Sequence, residues 1–173
     1  MTALPRFGLL ALALILSAAG AAAQQSPFGS FKHDATQPIE ITSDRLTVNQ
    51  TRKVATFAGN VIAGQGTLRL TAAEVQVFYD ADPAAADSGT GRIRLMKATG
   101  RVFLSNGTEA AEGDWAEYDV ARGIITMGGN VLLTQGENAV AGEELWIDLN
   151  AGVGEIKGRV RTVFQPARRD GND

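Results

Sequence analysis

Apolar residues recur at fixed distances from a short motif, a glycine followed by Asn or Arg and then Val. The motif occurs at Gly59, Gly100, Gly129 and Gly158, with spacings of 41, 29 and 29 residues. The first spacing is longer by 12 residues, and a loop insertion rich in Ala, Asp, Gly and Pro, Ala81 to Arg92, accounts for the difference. The chain is therefore predicted to be a 29-residue repeat.

The aligned copies share apolar columns, separated by polar positions such as Thr47, Gln76 and Glu117. The column thirteen residues before the glycine is Leu46, Val75, Ala116 and Leu145, and the column eleven before it is Val48, Val77, Tyr118 and Ile147. The column five before it is Val54, Leu95, Ile124 and Val153, and the column two before it is Phe57, Ala98, Met127 and Ile156. The column two residues after the glycine is Val61, Val102, Val131 and Val160. Alternation with a period of two is typical of strands with one buried face. No stretch of residues 24–173 sustains a helical period.

The repeat predicts an all-β fold in which each copy buries its apolar face on its neighbours. Twenty-nine residues accommodate about three strands of the usual 5–6 residues plus turns. Such a stack forms either two facing sheets or a coil. Its interior would be a continuous apolar trough, which is either a filled core or a binding groove.

Both ends of the predicted stack lack a polar cap. The first strand, Pro38 to Thr42, and the last, Arg159 to Phe164, alternate cleanly and would be edge strands with unpaired backbone groups. Such edges suit strand addition to another chain. The arginines on the last strand could equally keep the edge soluble.

The flanking segments differ in composition from the repeat. Met1 to Ala23 has one basic residue, a short apolar run and Ala21-Ala22-Ala23, which is typical of a secretory signal peptide cleaved after Ala23. A retained membrane anchor is the alternative, although the apolar run is short for a span. We expect a flexible lead-in over 24–37, the β domain over 38–164 and a flexible tail over 165–173.

Composition excludes several classes of function. The 173-residue chain has a net charge of −3, which argues against binding to nucleic-acid phosphates. It has no cysteine and a single histidine, His33, so most zinc sites and most serine–histidine chemistry are excluded. An acidic column at Asp44, Asp114 and Glu143 could supply paired carboxylates for acid–base work, but these residues lie beside turns, so capping is the simpler interpretation.

Several motifs together resemble the LptA/OstA family of periplasmic lipopolysaccharide-transport proteins. They are Gln37 to Asp44, Ala55 to Val61, Gln65 to Leu68, Ala72 to Glu74, Ala111 to Gly113 and Met127 to Val131. The likeness covers essentially everything after residue 23.

The resemblance implies an open, twisted β-jellyroll of short antiparallel strands, located in the periplasm, that is not an enzyme and needs no cofactor. It implies binding of lipopolysaccharide, with the acyl chains of lipid A shielded in the apolar interior, and head-to-tail stacking into a bridge from inner to outer membrane. The implied partners are lipopolysaccharide, inner-membrane-anchored LptC-like and outer-membrane LptD-like proteins, and further copies of the chain.

Candidate site residues follow from the columns and from the resemblance, which places Ile39 and Ile41 at the groove entrance and Tyr118 and Val120 on a lining strand. The predicted lipid-binding groove is Ile39, Ile41, Val48, Phe57, Val61, Val102, Leu104, Tyr118, Val120, Val131, Leu133 and Ile147. The predicted partner or edge positions are Pro38, Ile39, Ile41, Val160, Thr162 and Phe164. Two alternatives stay open: a docking domain of the same transport machine, favoured if residues 1–23 are retained, and a repeat-β enzyme acting on polysaccharide.

Overall fold

The structure, a computed structural model, describes residues 37–80 and 93–165. Within them lie ten β-strands: β1 Ile39–Thr42, β2 Arg45–Asn49, β3 Val54–Gln65, β4 Leu68–Tyr79, β5 Ile93–Ser105, β6 Glu109–Asp119, β7 Ile124–Gln135, β8 Asn138–Asp148, β9 Val153–Lys157 and β10 Arg161–Val163. The predicted all-β class is confirmed. The expected signal peptide, the insertion, and nearly all of the expected lead-in and tail lie outside the described residues.

The strands form one antiparallel sheet in which β3 to β8 pair in sequence order. The order is β1-β3-β4-β5-β6-β7-β8-β10, and β2 also pairs with β3 while β9 pairs with β8. Tight turns such as Gly66-Thr67 and Gly136-Glu137 join the strands. Among the described strands the sheet does not close on itself, so β1 and β2 form one edge and β9 and β10 form the other.

The motif glycines bend the long strands. At the β7 bend, Gly129 has φ 75° and Asn130 has φ 53°, which is the left-handed region that glycine and asparagine tolerate best. These two residues oppose one residue of β8, because the register jumps between Gly128 and Val131. The local structure is a β-bulge, which kinks a strand and increases its twist.

The expected count of three short strands per repeat is wrong. Strands β3 to β8 are 11–13 residues long, so each repeat supplies two long strands bent in the middle. The bend divides every long strand into two straight segments, and each segment has about the ordinary length of a strand.

The bends fold the sheet into two facing layers. The first layer contains β2, β9 and segments 54–58, 74–79, 93–99, 115–119, 124–128 and 144–148; the second contains β1, β10 and segments 61–65, 68–72, 102–105, 109–113, 131–135 and 138–142. The Tyr118 hydroxyl of β6 lies 3.1 Å from Oε1 of Gln65 on β3. Those strands are three positions apart, about 14 Å along a flat sheet, so this contact requires the layers to face each other.

The core fills the space between the layers. Its most buried large side chains include Leu104, Ile125, Met127, Leu145 and Ile147. The column five residues before the motif glycine behaves differently. Its members pair with outward-facing residues, as Val54 does with Phe78, and they lie on the outer face of the first layer.

Candidate functional site

The inner faces of the two layers bring most of the predicted groove residues together. Buried members of the set are Val61, Val102, Leu104, Tyr118, Val131, Leu133 and Ile147; half-buried members are Ile39, Ile41, Phe57 and Val120. The half-buried four all pack against the buried core. The inner surface is therefore continuous and almost wholly apolar from β1 across to β8.

Val48 is the one predicted groove residue that is exposed, at 53%. It nevertheless faces inward, because it pairs with Ala55, which packs against the core. Leu46, two residues earlier, is 54% exposed for the same reason. Both belong to β2, the last strand of the first layer, so no further strand in residues 37–80 and 93–165 covers them.

A small cavity of about 50 Å³ lies between the layers, with room for a few water molecules. Its lining comes from both layers: Ile39, Ala63, Gly64, Gln65, Leu68, Leu70, Val75, Met96, Ala98, Leu104, Ala116, Tyr118 and Ile125. The interior is thus filled for most of its length. A long acyl chain fits only where the layers part or where they end.

One polar contact joins the free rims of the two layers, opposite the bends. Gln65 accepts the hydrogen bond from the Tyr118 hydroxyl, and its Nε2 donates to the Gln37 carbonyl oxygen at 2.9 Å. Burial, with the nearby charge of Asp119 adding to it, raises the pKa of Tyr118. The rim contact therefore ties the lining of the cavity to the residue that precedes β1.

A second buried polar contact lies on the rim of the second layer. The Glu109 side chain is almost fully buried, and its Oε1 accepts a hydrogen bond from Gln135 Nε2 at 3.0 Å. Together with Gln65, these side chains give that rim a polar inner border. Apolar periodicity alone gave no signal for either contact. The first depends on which rims meet, and the second joins polar side chains that are cross-strand partners on β6 and β7.

Two carboxylates of the acidic column, those of Asp44 and Asp114, accept hydrogen bonds from asparagines at the bends. Asp44 Oδ2 accepts a hydrogen bond from Asn60 Nδ2 at 2.8 Å, and Asp114 Oδ2 accepts one from Asn130 Nδ2 at 3.1 Å. The carboxylate of Asp114 also stands directly against Gly129, where it leaves no room for a Cβ. These carboxylates are spread along the corner and bonded locally, which fits capping rather than acid–base chemistry.

The two edges of the sheet expose apolar side chains. At the N-terminal edge these are Leu46 and Val48; at the C-terminal edge they are Val153, Val160, Val163 and Phe164, each between 50% and 60% exposed. Pro38, Val160 and Phe164, predicted as edge positions, lie just outside β1 and β10, and Ile39, Ile41 and Thr162 lie within them.

The edges also differ in charge. The N-terminal edge carries Glu40, Asp44 and Arg45, and the C-terminal edge carries Glu155, Lys157, Arg159 and Arg161. The first set is net acidic and the second net basic. The edges are therefore complementary in charge as well as alike in their apolar inner faces.

Other site types find no support in the part of the chain that the structure describes. Residues 37–80 and 93–165 contain no group of three or more His, Cys, Asp or Glu side chains placed to hold a metal ion. Over those same ranges, no helix has the length and apolar character needed to cross a membrane.

Known proteins share both the sequence pattern and the fold. The Escherichia coli K12 lipopolysaccharide export system protein LptA is 30% identical over 140 residues, which is 79% of this chain and 72% of LptA. An uncharacterised Rhizobium meliloti protein is 33% identical over 167 residues, 94% of this chain and 90% of its own length.

A solved structure supports the architecture. The crystal structure of LptH from Pseudomonas aeruginosa, the LptA-homologous periplasmic component of a lipopolysaccharide transport device, matches with a TM-score of 0.66 at 19% identity, covering 77% of this chain and 99% of LptH. The predicted open β-jellyroll is thereby confirmed. The family model for the LptA/(LptD N-terminal domain) LPS transport protein matches residues 40–153. The chain therefore belongs to this family of lipopolysaccharide transport proteins.

Proposed function

We propose that the protein binds lipopolysaccharide by shielding the acyl chains of lipid A between its two layers, and that copies stacked head to tail form part of a periplasmic bridge between the membranes. The observation that carries the proposal is the continuous apolar inner surface, which stays exposed at Leu46 and Val48 where the first layer ends. The family membership and the periplasmic LptH support the same function.

Acyl chains suit this surface because they need area rather than specific polar partners. Each CH₂ group removed from water contributes about 0.8 kcal/mol. The inner face supplies apolar contacts along its whole length and few polar groups, chiefly on one rim. Enzymatic chemistry is not part of the proposal, since the corner carboxylates bond to Asn60 and Asn130.

The small resting cavity sets a condition on binding. About 50 Å³ does not accommodate several acyl chains, so the layers must part along their rims or the chains must lie at the open edges. Parting the rims breaks the hydrogen bond between Tyr118 and Gln65. The bends stay intact, because covalent strands cross them.

Location and partners follow from the same proposal. Cleavage after Ala23 would release a periplasmic protein whose N-terminus is Gln24, and LptH is itself a periplasmic component. An inner-membrane-anchored LptC-like protein and an outer-membrane LptD-like protein would continue the bridge at its two ends. The two sheet edges, whose outer sides have no partner strand among the described residues, are the surfaces proposed to receive them.

The experiment compares inward and outward neighbours on the same strands. A photo-crosslinking side chain is placed at Ile41 or Val48, which face inward, and at Thr42 or Thr47, which face outward. Asn49 and Asp119 also face outward but are unsuited as controls, because their side chains cap turns by accepting the backbone N–H of Arg52 and Arg122.

We expect the inward positions to capture lipopolysaccharide when purified protein is incubated with it, and the outward positions to capture far less. Equal capture on both faces, or none on either, would mean that the interior is only a filled core. N-terminal sequencing of periplasmic protein tests the location separately, with Gln24 as the expected first residue.

A further inference from the structure

Both tryptophans of the chain lie on the outer face of the first layer. Trp115 of β6 precedes the buried Ala116, so its side chain points away from the core. Trp146 of β8 alternates with the buried Ile147 in the same way. Trp115 is 36% exposed and Trp146 is half-buried, so this face presents aromatic surface to solvent.

The repeat does not require an aromatic residue at either position. In the other copies the outward residues of these two columns are all polar: Arg45, Glu74 and Glu144 in the column of Trp115, and Thr47, Gln76 and Glu117 in the column of Trp146. The sheet therefore forms with polar side chains at equivalent places. Packing of the repeat does not explain why two polar positions of one face are tryptophan.

A glycine positions the Trp115 ring. The indole lies directly over Gly128 of β7, where a Cβ would collide with it. The other copies carry a side chain at this position, namely Ala58, Thr99 and Lys157. Because β7 lies between β6 and β8, the glycine lets the ring extend across β7 toward the strand that carries Trp146.

Polar side chains border the two indoles. Glu117, Thr126 and Trp146 are cross-strand partners in one row across β6, β7 and β8. In the adjacent row, Trp115 and Glu144 flank the glycine that lies beneath the ring. We call Trp115, Glu117, Thr126, Glu144 and Trp146 the tryptophan platform. It combines two aromatic surfaces with carboxylate and hydroxyl oxygens, which accept hydrogen bonds.

The charges of these two rows nearly cancel. From β5 to β9 the rows contain two lysines, Lys97 and Lys157, and three glutamates, so their net charge is −1. Lys97 Nζ lies 2.7 Å from Glu117 Oε1, and Lys157 Nζ lies 3.5 Å from Glu155 Oε2. Anionic partners such as nucleic acid or a membrane of acidic lipids are therefore poorly matched, and an uncharged ligand is favoured.

We propose that the tryptophan platform binds a polysaccharide strand built of uncharged pyranose rings. One side of such a ring is a surface of C–H groups, which packs against an indole, while the ring hydroxyls donate to carboxylate and threonine oxygens. A protein partner is a poorer match. The core of a protein interface is depleted of charged residues, whereas charged side chains adjoin both indoles here.

The place of the platform indicates which glycan it meets. Trp115 adjoins the bend at Asp114, whereas the rims that must part for acyl chains lie at the opposite end of the segment, beside Tyr118. The sugars of a lipid held between the layers would project from those rims, so the ligand is a separate glycan. The choice of source rests on the proposed function. Strands of N-acetylated pyranose rings form the cell wall, which lies between the membranes that the proposed bridge connects.

The two tryptophans report binding directly, because every indole of the chain belongs to the platform. Full-length processed protein is titrated with a soluble N-acetylglucosamine oligomer while the indole emission is recorded. Its co-sedimentation with purified, protease-treated cell-wall sacculi is measured in parallel. We expect a saturable shift of the emission to shorter wavelength and retention of the protein on the sacculi.

Three variants test the platform. Trp115→Glu and Trp146→Gln introduce residues that other copies carry in the same columns, so both should fold, and each should weaken co-sedimentation about tenfold. Gly128→Ala keeps both indoles but displaces the Trp115 ring, and should weaken it less, about threefold. The matched control is Phe103→Ala, which removes an aromatic side chain of similar exposure, 38%, from the outer face of the second layer and should leave binding unchanged.

Several outcomes would overturn the proposal. The first is the absence of both the emission shift and co-sedimentation, and the second is equal binding by the parent protein and Trp115→Glu. An equal loss in Phe103→Ala would indicate nonspecific adsorption, and retention only on sacculi not treated with protease would assign the platform to a wall-bound protein. Tighter binding of lipid-free core oligosaccharide would assign it to the cargo instead of the wall. Lipid capture at Ile41 and Val48 does not depend on these results, so failure here is distinguishable from failure of the lipid-binding proposal.

Discussion

The same motif residue is buried inside the sheet and exposed at its end. Val61, Val102 and Val131 are 1%, 0% and 1% exposed, whereas Val160 is 52% exposed. Local sequence does not account for this difference, since all four follow a glycine and an Asn or Arg. What differs is the next strand, which covers the first three valines and is lacking beyond the fourth among the described residues.

The N-terminal edge shows the same contrast. Leu46 is 54% exposed, while its column partners Val75, Ala116 and Leu145 are 0%, 3% and 1% exposed. A repeat normally ends in polar caps, and this one instead keeps its apolar inner residues to both edges. Burial in this fold thus depends on the neighbouring strand that covers a residue. At each edge of the described sheet, one side of the last strand lacks such a neighbour.

The largest expected effect comes from introducing a charge, which should destabilise the interior of the sheet far more than its edge. Val131→Asp places an unpaired carboxylate in the core and should lower the free energy of unfolding by about 3–5 kcal/mol. Val160→Asp makes the same change at the open edge and should lower it by less than about 0.5 kcal/mol. Urea unfolding measures both, and equal losses would show that the edge valine is as buried as the interior one.

The bends provide the next contrast. Gly129→Ala forces a Cβ against Asp114 at positive φ and should destabilise by about 2–3 kcal/mol. Gly136→Ala, also at positive φ but with open space around it, should cost about 1 kcal/mol. Gly158→Ala meets Glu143 at the edge, where short β10 can shift, so its cost should lie between the two.

A double-mutant cycle isolates the contact at the interior bend. Asp114→Ala should recover part of the loss in Gly129→Ala, because it removes the carboxylate that the new Cβ meets. Additive losses in urea unfolding would show that backbone conformation alone explains the cost.

The third prediction concerns association through the open edge. Val160→Pro removes a backbone N–H that a neighbouring strand would need, and should weaken self-association at least tenfold, about 1.4 kcal/mol, as followed by light scattering. The urea midpoint should hardly move, since Val160 lies between β9 and β10. Unchanged, concentration-dependent oligomers would exclude this edge from the interface.

Much of the fold could be predicted because the repeat places related residues in columns. Alternation around Val75 and Val77 indicates strands, and four copies in register indicate a stack of repeats that share one apolar interior. The strand count could not be predicted in the same way. A bulge such as Gly129-Asn130 interrupts the alternation without ending the strand, so one bent strand looks like two short ones.

The inner face could be predicted only in part. Val54 and Phe57 are both apolar and three residues apart, so they must face opposite sides of a strand, yet composition does not say which side is inside. Pairing settles it, because Phe57 opposes the buried Val75. The contact between Tyr118 and Gln65 was beyond sequence reasoning, since it exists only once the sheet has folded over.

That contact supplies the smallest predicted effect, and it marks another difference between interior and edge. Tyr118 belongs to the same column as Val48, but it is buried and its hydroxyl bonds Gln65 across the layers. Tyr118→Phe should lower the free energy of unfolding near neutral pH by about 1 kcal/mol, the net value of one hydrogen bond.

The pH dependence gives that prediction its sharper test. Burial, with the nearby charge of Asp119 adding to it, raises the pKa of Tyr118 above the ordinary value of 10.0, so the folded protein holds this proton more tightly than the unfolded chain does. The resulting stability is fully present below pH 10 and is lost as the pH rises through the folded-state pKa. Urea unfolding between pH 8 and about pH 11 should therefore show a smaller alkaline loss in Tyr118→Phe than in the parent protein, with Tyr79 present in both. If the two proteins lose stability in parallel, Tyr118 is open to solvent and the rims of the layers are already apart in solution.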